Sequence, residues 1–182
     1  MFKPDQVWDD SPFPSAYLIT FRTFGTWLHG DERGAVDTHD GKNIYGSPKR
    51  LPNEKLSRKM RANMTQPVFT LNARQKRAVE EAIGEVCQYK NFILHAVNVR
   101  SNHIHVVISA QLRPEPIAGL FKKYSTRKMR TLNLLESELR PWSRGCSTRY
   151  LWKDNHVVAA IDYVLYCQED IPFEFKKDGH AP

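Results

Sequence analysis

The sequence predicts an α+β fold in which helices cover one face of a small antiparallel sheet. Three observations carry the prediction. Four short segments show the alternation, or the β-branched and aromatic enrichment, of strands. Two long amphipathic stretches separate the first strand from the second and the third from the fourth. Only a Ser-Asn turn divides the second strand from the third, so those two form a hairpin.

The elements follow in order. Ala16 to Phe24 (AYLITFRTF) sets Tyr17, Ile19 and Phe21 on one face of the first strand. From Gly30 to Pro67 the chain is rich in Gly, Pro, Asn and charge, too long for an ordinary connection. We read it as a functional or partner-facing insertion at about residues 30–67 within a single domain spanning 1–182. Thr70 is placed to cap a helix from Leu71 to about Tyr89, with Val79, Ala82, Ile83 and Val86 as its apolar stripe. Phe92 to Arg100 (FILHAVNVR) and His103 to Ala110 (HIHVVISA) are the hairpin strands. Pro114 and Pro116 open a second helix running to about Leu135. Ser147 to Trp152 reads as a short strand and Val157 to Gln168 as a last helix. This order is the split βαβ pattern of a ferredoxin-like sheet, extended by a C-terminal helix.

Composition bounds the function. The 182 residues are 41% hydrophobic and 11% aromatic, too apolar for a solvated coil. No apolar run approaches the roughly 18 residues of a membrane span, and the N-terminus lacks a signal-peptide pattern. Cys87, Cys146 and Cys167 fit neither a disulfide framework nor a CxxC zinc site, so a soluble, cytoplasmic protein is expected. The net charge of +7 is modest, but it is concentrated. Phe121 to Arg130 carries five basic residues and no acid, and Pro48 to Arg61 six basic residues and one acid. Clusters of this kind suit a phosphate-rich partner.

The chemistry centres on His103-Ile104-His105. Strand periodicity puts both imidazoles on one face and Ile104, Val106 and Ile108 on the other. Imidazoles about 7 Å apart along a strand can converge on one divalent ion if each ring leans inward. Such ligands suit Mn²⁺, Zn²⁺, Co²⁺ or Ni²⁺ better than Mg²⁺. A third ligand has to come from elsewhere. His95 and His29 read as ordinary strand and loop residues, and the densely functionalised Trp27 to Arg33 (WLHGDERG) suggests no mechanism.

The stretches NHIHVV (102–107), LWKDNHVV (151–158) and AIDYVLYCQ (160–168), with the basic helix between them, carry a resemblance. Together they resemble the HUH superfamily of single-strand nucleases, specifically the single-tyrosine, IS200-like transposases and their REP-associated relatives. The resemblance implies that His103, His105 and a polar helix residue hold a divalent ion, Mg or Mn, against a DNA phosphate. It further implies that a tyrosine hydroxyl attacks phosphorus, leaving a 5′-phosphotyrosine and a free 3′-OH. Single-stranded or hairpin DNA would be the partner, and a homodimer the assembly.

The resemblance assigns the attack to Tyr163, with Tyr124, inside the basic helix, as its rival. Helical spacing sets His156, Ala159, Tyr163 and Cys167 along one face and the core residues Val157, Ile161 and Val164 along another. The family's polar ligand falls four residues after the tyrosine, where this chain has Cys167. Gln168 follows one residue later, displaced from Tyr163 by about 140° around an ideal helix. The third ligand is therefore open between Gln168, His156 and Cys167. Asn102 and His156 are candidates to support the ligands from behind. Lys122, Lys123, Arg127, Lys128 and Arg130 are expected to meet DNA phosphates, and helical geometry spreads them over more than one face. Arg149 can add a charge beside Tyr150 and Trp152, which can stack on unpaired bases. Two rival functions stand beside strand transfer: a non-catalytic nucleic-acid-binding protein, and a metal-dependent phosphoesterase without a covalent intermediate.

Overall fold

The computed structural model describes residues 13–28 and 52–166. His29, Cys167, Gln168 and most of the expected insertion lie outside the described residues. Eight elements follow one another: β1 (Ala16–Arg22), α1 (Glu54–Ala62), α2 (Ala73–Lys90), β2 (Ile93–Val99), β3 (His103–Ser109), α3 (Pro114–Thr131), β4 (Ser147–Leu151) and α4 (Asp154–Tyr166). The strands form one sheet in the order β2-β3-β1-β4, with every neighbouring pair antiparallel. That is the ferredoxin-like arrangement the element order predicts.

The alternation in each strand divides the core between the two faces. Tyr17, Ile19, Phe21, Ile104, Val106 and Ile108 are buried against α2 and α3, through Val79, Ile83, Val86, Ile117, Phe121 and Met129. The opposite face packs Leu18, Ala96, Val107 and Leu151 against Ala160 and Val164 of α4. Each large apolar side chain buried in this way contributes roughly 1.5–3 kcal/mol. The second face is only partly apolar, because Thr20, Arg22, Asn98, His103 and His105 share it.

The structure corrects two helix boundaries and shows a helix inside the expected insertion. The first long helix is capped by Asn72, not Thr70. The Asn72 side chain accepts from the Gln75 backbone and the Gln75 side chain accepts from the Asn72 backbone, satisfying two helix-end donors reciprocally. The next helix stops at Thr131 rather than near Leu135. Asn133 adopts φ 54°, and the amides of Leu134 and Asn133 bond back to the carbonyls of Met129 and Arg130. This closes the helix with asparagine in the left-handed position where glycine is usual. The described part of the expected insertion contains α1. Asn53 caps α1 by accepting from Leu56, Arg58 pairs with Glu54 at 2.7 Å, and the helix buries no residue.

Candidate active site

The centre of the sheet positions the histidine pair. In the antiparallel register of β1 and β3, Arg22 stands opposite His103 and Thr20 opposite His105. Side chains two apart on a strand start about 7 Å apart. Here the two rings lean together to a centroid separation of 4.7 Å, inclined at 77°. Each ring is oriented through Nδ1. That of His103 lies 2.7 Å from Asn102 Oδ1 and that of His105 lies 2.8 Å from Thr20 Oγ1. An amide oxygen only accepts, so Nδ1 of His103 donates, and the uncharged ring would present its lone pair on Nε2.

Electrostatics favour the uncharged form of His105. Burial is the largest influence pushing its pKa down to about 3, helped by the charges of His103, Arg22 and Arg100. At neutral pH it is an uncharged imidazole, the state that ligates a metal. Two imidazoles, inclined to each other and oriented through Nδ1, fit a divalent ion when both are uncharged. No group of three His, Cys, Asp or Glu suited to a metal occurs among the described residues. A further donor would have to be of another type or come from beyond them, as Gln168 would.

The last helix brings the tyrosine. Ala160 and Val164 are the buried residues of α4, and the small Ala96 and Ala160 in that interface let helix and sheet approach closely. Asn98, opposite His105 on β2, donates from Nδ2 to the carbonyl of Val164 at 3.0 Å and pins the helix next to Tyr163. Tyr163 sits at the border of the apolar stripe, with its ring 5.5 Å from the His105 ring and inclined at 77°. His156 is half-buried in the first turn of the same helix, seven residues before Tyr163 and so about 10 Å along it.

The rival tyrosine and the basic helix lie elsewhere. Tyr124 packs against the α2/α3 core, on the far face of the sheet from the histidines. Three of the five α3 cations are engaged within the fold. Lys122 Nζ donates to the carbonyls of Ser143 and Gly145, and burial lowers its pKa. Lys128 pairs with Glu81 at 2.8 Å and Glu85 at 2.6 Å, and Arg130 donates to the carbonyls of Ser137 and Leu139. Lys123 and Arg127 are exposed. Arg149, opposite Leu18, lies on the histidine face, while Tyr150 and Trp152 are exposed and stacked with ring centroids 6.4 Å apart. Thr20, Arg22 and Arg100 were not among the sequence candidates. The signal for the first two was the polar phase of the first strand, Thr20 and Arg22 alternating with Ile19 and Phe21.

The model of the family described as IS200-like transposases matches residues 60–166, more than half of the chain. No curated protein matches. Among solved structures, the REP-associated tyrosine transposase bound to a REP hairpin aligns with a TM-score of 0.47 and 12% identity. The alignment covers 84% of this chain and 65% of that one, so the chain spans just under two thirds of that protein's length.

Proposed function

Because the chain belongs to the IS200-like transposase family, we propose that it cleaves and rejoins single-stranded or hairpin DNA through a 5′-phosphotyrosine. The observation that carries this reading is the placement of the Tyr163 ring 5.5 Å from His105, beside a histidine pair on the same chain. The tyrosine and the histidine pair of one chain lie side by side, which supports a site assembled within that chain.

In the forward step the Tyr163 oxygen forms a bond to phosphorus and its proton passes to solvent. The bond from phosphorus to O3′ breaks, and O3′ leaves with the electron pair and takes up a proton. Rejoining is the reverse, with a 3′-OH attacking the phosphotyrosine. Tyrosine has a pKa near 10 and is a weak nucleophile at neutral pH, so the site has to supply activation. His103 and His105 would hold a divalent ion, Mn or Mg, whose charge draws electrons from the phosphate oxygens and favours both attack and departure. Thr20 and Asn102 keep the two rings in orientation. Asn98 and Ala160 keep α4 close enough for the tyrosine to reach the pair. No helix among the described residues is long and apolar enough to cross a membrane.

The test is incubation with labelled, hairpin-bearing single-stranded DNA and Mn²⁺. A denaturation-resistant protein–DNA adduct is expected, lost in Tyr163→Phe and retained in Tyr124→Phe. Cleavage without an adduct would instead indicate a phosphoesterase, and binding without cleavage a DNA-binding module.

A further inference from the structure

The histidine face carries a cation that the strand-transfer reading above leaves unused. Arg22 ends β1 in the register position opposite His103, in the same strand phase as Thr20. Its guanidinium carbon lies 3.6 Å from the centroid of the Trp27 ring. The turn between these two residues is tied to Pro141 and Ser143 on one side and to Asn102 on the other. Thr23 donates to the Asn102 carbonyl from its backbone at 3.0 Å and from its hydroxyl at 3.1 Å, and the Thr26 hydroxyl lies 3.3 Å from the same oxygen. Gly25 completes the turn at φ +73°, where an added Cβ would come within 2.6 Å of Met64. Asn102 therefore supports the turn through its carbonyl and His103 through its side chain. Arginine platform and histidine pair share one foundation.

We propose that Arg22, laid on the Trp27 ring, binds a non-bridging oxygen of the phosphate that Tyr163 attacks. The proposal rests on the strand-transfer reading for the identity of that phosphate. Stacking uses the flat face of a guanidinium, while its N–H groups lie in the plane and point outward in a fork matched to phosphate oxygens. Lysine can supply the charge, but it cannot stack flat and fork at once. A positive group preset where charge gathers in the reaction needs no reorganisation, and removing one such donor typically costs about 10²–10³ in rate. The same contact gives the start of the Trp27 to Arg33 stretch a role: Trp27 is the plate that orients the arginine.

The experiment uses the full chain, Mn²⁺ and a labelled hairpin-bearing single-stranded oligonucleotide, with two readouts. Binding is measured against salt in a Tyr163→Phe background, where no cleavage intervenes. Arg22→Gln should weaken binding and flatten the slope of log K against log salt by about 0.7, the share of one phosphate contact on a single strand. Adduct formation is measured at saturating DNA with Tyr163 intact. Arg22→Gln should slow it about 100-fold or more, and Arg22→Lys should keep the salt slope yet still lose at least 10-fold in rate. Because Arg22→Lys retains the charge, it decides the matter if Arg22→Gln folds poorly. An unchanged salt slope in Arg22→Gln overturns the proposal, as does a full adduct rate in Arg22→Lys. Should the wild-type chain form no adduct, the strand-transfer reading fails by itself, and the salt slope still decides whether Arg22 meets a phosphate.

Discussion

A histidine that is to hold a metal is only as well placed as the group behind it, and Thr20 stands in that place for His105. Its hydroxyl stands 2.8 Å from Nδ1 of a ring that is almost wholly buried. Thr20→Val keeps the shape and removes the hydrogen bond. It should cost about 1–3 kcal/mol in stability, since a buried ring nitrogen loses its partner. Groups that orient ligands typically contribute about 10–100-fold to metal affinity, so Mn²⁺ binding should weaken within that range. Urea unfolding and a Mn²⁺ titration of the same variant check both, and unchanged metal affinity would show that the ring needs no such support. The sequence shows the histidine pair plainly, because alternation along a strand is a local property. Thr20 and Arg22 are not legible in the same way. Their meaning depends on which residues of β1 face which residues of β3, and register across 80 or more positions of chain is set by the packed sheet.

At the scale of elements, the position of α4 decides whether the tyrosine reaches the histidines. Ala160 is fully buried and packs with Ala96 in the helix–sheet interface. Ala160→Leu should overpack that interface, cost roughly 1–3 kcal/mol and push the helix outward. A misplacement of about 1 Å can slow a reaction on the order of 100-fold, so adduct formation should fall far more than DNA binding does. Mn²⁺ binding by the histidines should persist, because both reside on β3. Measuring all three on one variant separates a displaced helix from a damaged sheet. The apolar phase of this helix was partly visible: Val164 belongs to the expected stripe and is buried, while Ala160 escapes notice because a small residue carries little hydrophobic signal. Helix ends were harder. Asn72 and Asn133 act through hydrogen bonds to backbone several residues away, so neighbouring polar residues such as Thr70 compete equally well on paper.

The described residues form a sheet with two unlike faces, which on the strand-transfer reading would separate DNA binding from chemistry. The element order made the sheet legible because each strand keeps its phase, and apolar residues collect on the face covered by α2 and α3. The charge surplus was less transparent, since a count of basic residues says nothing about which of them the fold consumes. Lys122, Lys128 and Arg130 hold carbonyls and carboxylates of neighbouring segments, whereas Lys123 and Arg127 are exposed on α3, across the sheet from the histidines. A phosphate touching the two exposed residues cannot be the one beside Tyr163, because the sheet stands between them. Changing Lys123 and Arg127 together to Gln should therefore weaken DNA binding and flatten its salt slope by about 0.7–0.9 for each phosphate no longer neutralised. The rate of adduct formation at saturating DNA should stay within about threefold of wild type, since no interaction made only in the reaction has been removed. Anisotropy titrations over a range of salt, paired with single-turnover adduct assays, test the separation. An unaltered slope would remove α3 from the DNA surface, and a slowed reaction at saturation would show that the two faces are coupled.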